Sequence, residues 1–89
     1  MKIVLELFGA SRDFNEKGFI DFEIQKPISI EEFRKTINGY LNEKFQGNES
    51  FLQTVKNSAF CSEENEIISD NYKITKSQKI SIIPPIGGG

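Results

Sequence analysis

SIEEFRKTINGYLNEKF, residues 29–45, is the stretch that decides the fold. Its apolar residues recur at spacings of three and four, which places them on one face of an α-helix. Ser29 and Glu32 form a capping box, in which the Ser29 hydroxyl accepts from a first-turn N–H and the Glu32 carboxylate reaches back to the cap. These features predict a helix over residues 30–44, and Gly47 is suited to end it. The apolar face comprises Ile30, Phe33, Ile37, Tyr40, Leu41 and Phe45.

Two strands precede this helix. Apolar residues recur at every second position over residues 2–8 and again over residues 19–24, which is the period of a half-buried β-strand. Lys26-Pro27 ends the second strand before the helix begins. The polar stretch between the strands predicts the loop of an antiparallel hairpin. The residues expected to face the core are Ile3, Leu5, Leu7, Ile20, Phe22 and Ile24.

Shorter elements follow the helix. Residues 48–55 predict a second, short helix, and residues 58–61 and 66–68 predict short strands. Residues 79–83 alternate again and predict a last strand. Cys61 is expected to act as a small buried hydrophobe rather than as a reactive thiol. The other residues expected to point inward are Phe51, Leu52, Val55, Ile74, Ile80 and Ile82.

The order of these elements favours an α+β fold with one main helix packed across one face of a sheet. At 89 residues the chain has room for one domain with a single modest core. We expect the domain to span residues 1–83 and a tail to span residues 84–89. Eight phenylalanines and no tryptophan indicate that phenylalanine rings supply much of the core packing.

The composition excludes several classes of function. Histidine is absent, which removes the commonest general base, nucleophile activator and zinc ligand, so we expect neither a metal site nor a side-chain active site. The net charge of -2 gives no positive field for nucleic acid and no polybasic membrane anchor. Apolar runs are too short to span a membrane, and neither a signal peptide nor a pair of cysteines is evident. We therefore expect a cytoplasmic protein that binds neither nucleic acid nor membrane.

The charged residues are unevenly distributed. Every Asp and Glu lies at or before Asp70, whereas Lys73, Lys76 and Lys79 follow it. These lysines are either a solvated edge or a contact for an acidic partner or a nucleotide-using enzyme. The pairs Glu31-Glu32 and Glu63-Glu64 lie where a helix first turn and a hairpin turn are predicted, and such positions favour acidic residues for structural reasons.

The tail has an unusual composition, reading IIPPIGGG over residues 82–89. Pro84 and Pro85 cannot donate to a sheet ladder and hold φ at about −65°, so they end the last strand and stiffen the exit. Gly87, Gly88 and Gly89 carry no side chains. This pattern predicts a thin thread that carries the Gly89 carboxylate into another protein's active site. An ordinary frayed terminus, or linker glycines, is the alternative.

Three segments together resemble one known family. They are VLELFGASR at residues 4–12, the capped helix that begins at Ser29, and ISIIPPI at residues 80–86 followed by terminal glycines. With these segments the chain resembles the MoaD-type small subunit of molybdopterin synthase, in the MoaD/ThiS family of ubiquitin-like sulfur carriers. The resemblance covers the chain from end to end and implies a β-grasp fold with a mixed sheet.

The resemblance also implies a mechanism. In that family an E1-like adenylyltransferase of the MoeB type uses ATP to adenylate the terminal glycine, which is then converted to a thiocarboxylate. The carrier docks on the MoaE-type large catalytic subunit, in a heterotetramer, and donates sulfur to cyclic pyranopterin monophosphate during molybdenum cofactor biosynthesis. Carried over to this chain, Gly89 bears the sulfur, while Gly88, Gly87, Pro84 and Pro85 guide the tail. The carrier itself binds no cofactor and is a non-catalytic, sulfur-donating subunit.

Some apolar residues lie at strand positions expected to face away from the core, and together they suggest a surface for such partners. They are Val4, Phe8, Phe19 and Ile83, with Ile86 in the tail. Two other classes of function stay open beside molybdopterin synthesis. One is a carrier of the same kind serving thiazole synthesis, as ThiS does, or transfer-RNA thiolation. The other is a ubiquitin-like modifier or a plain interaction domain.

Overall fold

The structure is a computed structural model and describes residues 1–86. Within these residues a five-stranded sheet has the strand order β2-β1-β7-β4-β5, and β3 and β6 form a separate two-stranded sheet. β1 and β7 are parallel, whereas the other neighbours are antiparallel. The strands are β1 Lys2–Leu7, β2 Phe19–Glu23, β3 Ile28–Ser29, β4 Ala59–Cys61, β5 Ile67–Ile68, β6 Lys73–Ile74 and β7 Gln78–Ile83, and the helices are α1 Ile30–Phe45 and α2 Glu49–Asn57.

The side chains at alternate positions of the long strands β1, β2 and β7 form one side of the core. Leu5 on β1 lies opposite Ile20 on β2 and Ile80 on β7, so the three side chains form a row across the sheet. All three are buried. The predicted alternation of the strands and the antiparallel hairpin of β1 and β2 are therefore confirmed.

Helix α1 covers the core face of this sheet. Its N-terminus has the predicted capping box: the Glu32 N–H donates to Ser29 Oγ at 3.1 Å, and the Ser29 N–H donates to Glu32 Oε1 at 2.9 Å. The buried Phe33 ring lies 5.4 Å from Phe22 of β2 and 6.3 Å from Phe60 of β4, measured between ring centroids. One residue thus spans the sheet, and the prediction of a main helix packed across one sheet face is confirmed.

Helix α2 is longer than predicted. It extends to Asn57, and Asn48 caps it by accepting from the Phe51 N–H at 3.1 Å. Of the three residues expected inward, Val55 is fully buried, whereas Phe51 and Leu52 are partly exposed. The expectation was too broad, because α2 lies at the margin of the core and buries only a narrow stripe.

Two further elements differ from the sequence interpretation. Residues 9–18 are not only a loop, because they contain a 3-10 segment, Gly9–Phe14, with Phe14 fully buried. Ile74, expected to point inward, is buried as expected, but it belongs to a strand that the sequence interpretation did not include, β6, which pairs with β3. Each of these strands is two residues long, too short for an alternating pattern to be visible.

Cys61 corrects a further expectation. On β4 the neighbouring Phe60 is fully buried in the core, so Cys61 points to the opposite, outer face of the sheet. There it is partly exposed and lies opposite Ser81 of β7 and Ile67 of β5. It is therefore not a buried core residue.

Candidate functional site

The tail leaves the domain at the end of β7. Ile82 is buried in the core and Ile83 is 36% exposed on the outer face. Pro84 is buried again, whereas Pro85 and Ile86 are exposed, Ile86 at 93%. The chain therefore becomes exposed at Pro85, directly after the buried Pro84.

A short turn holds Pro84 in place. This exit turn, defined as residues Phe8–Ser11, carries Gly9 with φ of 54°. The Pro84 ring lies against Gly9: a Cβ built there would be 3.8 Å from both Cδ and Cγ of the proline. Its contact on one side is thus the bare backbone of the exit turn.

Ser11 fixes the shape of the exit turn. Its buried hydroxyl donates to the Phe8 carbonyl at 2.6 Å and accepts from the Phe8 N–H at 3.0 Å. The Ser11 N–H also donates to the Phe8 carbonyl, at 3.1 Å. Phe14, in the same segment, is buried against Phe51 of α2 with ring centroids 5.1 Å apart. The turn is consequently tied both to the end of β1 and to α2.

Three of the predicted partner-binding residues lie together at this end of the sheet. Phe8 is 42% exposed, Phe19 40% and Ile83 36%. Leu7 pairs with Ile82 and Glu6 with Phe19, so the register brings all three to the end where the tail leaves. We call Phe8, Phe19 and Ile83 the tail-end patch.

Val4 is separated from the tail-end patch by charged residues. It lies between Asp21 of β2 and Lys79 of β7 in the register of the sheet. Asp21 pairs with Lys2 at 3.9 Å, and Lys79 pairs with Glu6 at 3.4 Å. Of the four strand residues expected to form one apolar surface, three therefore lie together and Val4 lies apart from them.

The lysines of the last segment are less alike than their sequence suggested. Lys79 has two acidic neighbours: its ammonium pairs with Glu6 of β1, and its backbone N–H donates at 2.7 Å to Glu63 Oε1, in the turn between β4 and β5. Lys73 and Lys76 are exposed. Glu63 thus acts as a structural acceptor, in agreement with the interpretation of the Glu63-Glu64 pair as part of a turn.

An open groove of about 460 Å³ lies on the other side of the exit. It separates the tail from helix α2, and none of its lining residues is charged. The lining comprises Ala10, Ser50, Gln53, Thr54, Asn57, Pro84 and Pro85. The base of the tail is therefore flanked by an apolar patch on the sheet side and a polar groove on the helix side.

The predicted sulfur-bearing residue, Gly89, and its neighbours Gly88 and Gly87 lie outside the described residues. Within residues 1–86 no cluster of three or more Cys, Asp or Glu side chains could hold a metal ion. In the same part of the chain, neither helix is long and apolar enough to cross a bilayer. The candidate site within the described residues is the exit of the tail together with the patch and the groove beside it.

This architecture is that of a ubiquitin-like β-grasp domain: a hairpin, a helix across the sheet, and a last strand parallel to the first. The chain is similar to SAMP1 from Haloferax volcanii, with a TM-score of 0.69, 12% sequence identity and 100% of both chains covered. It is also similar to a candidate molybdopterin converting factor, subunit 1, from Pyrococcus furiosus, with a TM-score of 0.69 and 13% identity over 97% of this chain and 99% of that one.

At these identities the likeness shows the fold, and the predicted β-grasp class is confirmed. The second neighbour bears the name of the protein family that the sequence resembles. No protein-family profile matches the sequence, and a sequence comparison with curated proteins finds no match.

Proposed function

We propose that this chain is a small sulfur carrier that serves molybdopterin synthesis, with the carboxylate of Gly89 as its working group. The observation that carries the proposal is the position of the tail. Its base, Pro84, is anchored in the domain, its next residues are exposed, and an apolar patch lies beside the exit. Such an arrangement lets a partner bind the rigid end of the sheet while the thread enters its active site.

The chemistry of the proposal requires activation of an unreactive group. A carboxylate oxygen of Gly89 attacks the α-phosphorus of ATP, the bond to pyrophosphate breaks, and an acyl-adenylate forms. A sulfur nucleophile at the oxidation level of sulfide then attacks the acyl carbon, and AMP leaves with one of the original carboxylate oxygens. The product is a thiocarboxylate, whose sulfur can pass to a pterin precursor. The ATP belongs to the activating partner, so the carrier needs no bound cofactor.

Two partners follow from this proposal. The first is an E1-like adenylyltransferase of the MoeB type, and the second is a MoaE-type large subunit that holds the cyclic pyranopterin monophosphate. The name of the neighbour from Pyrococcus furiosus, a subunit 1, supports a partner subunit for this chain too. The tail-end patch is the docking surface that we assign to both, because its exposed apolar side chains adjoin the tail that must be inserted.

The decisive experiment is intact-mass analysis of the chain after co-expression with an E1-like adenylyltransferase. We expect the mass to rise by the difference between one sulfur and one oxygen, and fragmentation to locate the change at Gly89. Deletion of Gly88 and Gly89 should abolish the change without unfolding the domain, because the buried hydrophobic core is formed by residues between Ile3 and Ile82. An unchanged wild-type mass under conditions that charge a known carrier would contradict the proposal.

The same experiment separates the other classes of function. A modifier would appear as an isopeptide-linked adduct on lysines of other proteins, with the mass of this chain added. A carrier for thiazole synthesis or transfer-RNA thiolation would acquire sulfur but would not form sulfur-containing pterin when mixed with a MoaE-type subunit and precursor. Formation of molybdopterin in that mixture supports the function proposed here.

A further inference from the structure

We infer that the exit turn, Phe8–Ser11, is a positioning device for the tail, and that Ser11 and Pro84 are its two working residues. The geometry of this device follows from packing alone, whereas its consequence for docking rests on the proposed function. Ser11 and Pro84 act as positioning residues. Their role is to fix the place and direction in which the chain leaves the sheet.

The geometry begins with the difference between the two prolines. Pro84 is buried and Pro85 is exposed, although both have the same restriction on φ. A stiff exit would need only the ring constraint, which either proline supplies. Burial of the first ring adds a contact that fixes the exit relative to the domain. Pro84 therefore orients the tail, whereas Pro85 only stiffens it.

The surface that receives Pro84 is itself held rigidly. Gly9 adopts φ of 54°, a conformation that side chains with a Cβ disfavour, and presents bare backbone to the proline ring. The Ser11 hydroxyl satisfies both the N–H and the carbonyl of Phe8 at distances of 3.0 and 2.6 Å. Together with the Ser11 N–H, which also donates to the Phe8 carbonyl at 3.1 Å, the hydroxyl holds the turn against the end of β1.

The same turn also carries Phe8 of the tail-end patch. A partner that binds the patch therefore meets the tail in a fixed relation to it, because Ser11 couples Phe8 to the seat of Pro84. Fixing the exit before docking lowers the conformational entropy lost when the tail is inserted. Loosening the turn should consequently weaken productive docking and leave the subsequent chemistry unchanged.

The first test measures the geometry without any partner. The chain has a single cysteine, Cys61, which is partly exposed, and Ile86 is exposed beyond the prolines. The variant I86C therefore allows two spin labels to be attached, and electron–electron double resonance gives the distribution of distances between them. We expect a narrow distribution in I86C, a small widening in I86C/P85A, where only the stiffness is lost, and a distribution several times wider in I86C/P84A and I86C/S11A.

The second test measures docking with an E1-like adenylyltransferase, by pyrophosphate release as a function of carrier concentration. We expect S11A to raise KM about tenfold with kcat unchanged, since only the ordering of the exit is lost. S29A is the matched control, because it removes a cap hydrogen bond of α1 but leaves the exit turn and both prolines intact. S29A should leave KM at the wild-type value even where it lowers stability.

The outcomes distinguish this inference from the proposed function. Equal widths in the P84A and P85A distance distributions would overturn the positioning role, whatever the chain does. If S11A fails to fold, P84A decides the matter alone. Absence of pyrophosphate release with the wild-type chain contradicts the proposed function and leaves the distance measurement to decide the geometry. A wide distance distribution in I86C/P84A together with an unchanged KM in S11A would mean that Pro84 fixes the exit but that docking does not depend on it. That result overturns the inference.

Discussion

Arg34 and Asp70 are 36 positions apart in the sequence, yet the guanidinium donates two hydrogen bonds to the same carboxylate oxygen, at 2.9 and 3.1 Å. The other side of the guanidinium donates to the carbonyls of Val55 and Ser58 at 2.6 and 2.9 Å. Its plane also covers the Phe60 ring, with Cζ 4.6 Å from the ring centroid. Arg34 thus joins α1, the C-terminal end of α2, β4 and the segment before β6.

The first prediction concerns this contact. R34M should lower the free energy of unfolding by about 3 kcal/mol, because it removes the charge-assisted hydrogen bonds to Asp70 and to the carbonyls of Val55 and Ser58. R34K should recover only part of the loss, since an ammonium lacks the planar set of donors. Urea unfolding followed by circular dichroism is the measurement. K35M, at the exposed neighbouring position of α1, is the control and should have little effect.

The second prediction concerns Asn38, whose Oδ1 is buried in α1 without a hydrogen-bond partner among residues 1–86. N38L should raise the free energy of unfolding by about 1 kcal/mol, because it removes an unsatisfied acceptor and adds apolar surface. The control is N42L, at an exposed position of the same helix with the same change in helix propensity. If both variants gain equally, helix propensity alone explains the effect and the buried acceptor costs nothing.

The third prediction concerns pH. The hydrogen bond from the Ser29 backbone N–H, with smaller contributions from its hydroxyl and from Lys73 and Lys26, lowers the pKa of the exposed Glu32 carboxyl below its ordinary 4.5. A lowered folded-state pKa contributes stability that is complete above the ordinary value and is lost as pH falls toward the lowered one. E32Q should therefore reduce the loss of stability below about pH 4.5. The measurement is the free energy of unfolding at several pH values. If it falls equally in wild type and E32Q as the pH is lowered, this assignment is contradicted.

The fourth prediction concerns the tail-end patch. F8S and F19S should each weaken binding to the activating enzyme by about tenfold, because aromatic side chains of this exposure commonly carry much of an interface's energy. I67S is the control, since Ile67 is 78% exposed on β5, at the edge of the sheet far in strand order from β2. Calorimetric titration gives the affinities. An equal loss in I67S would mean that the partner uses the whole outer face rather than its tail end.

The parts of the fold that the sequence predicts are those in which local and tertiary signals agree. Helix α1 has its cap at Ser29, its first-turn acid at Glu32 and an apolar face that becomes the buried face. The long strands alternate over enough residues for their period to be clear. Their order within the sheet came from the resemblance, because a pattern along the chain does not state which strands are neighbours.

The features that sequence reasoning missed depend on short elements or on single distant contacts. Cys61 lies on a strand of three residues, too short for the alternation to indicate a face. Phe14 stands alone in a polar stretch, so only its isolation could have suggested that the segment folds inward. Arg34 looks like a solvated helix residue until α2 and Asp70 are placed beside it. The positioning role of Ser11 likewise depends on a turn that no motif marks.

The parallel pairing of β1 with β7 has a consequence for the folding of the protein. Leu5 lies opposite Ile80, so the centre of the sheet joins nearly the first residues of the domain to nearly the last. Contacts this distant along the chain require closure of the long intervening segment, which costs conformational entropy. A chain in which β7 has not paired with β1 therefore does not place Pro84 against the exit turn or Ile83 beside the end of β1. The proposed function therefore predicts that a partner which recognises the exit selects folded molecules over chains that lack the pairing of β1 with β7.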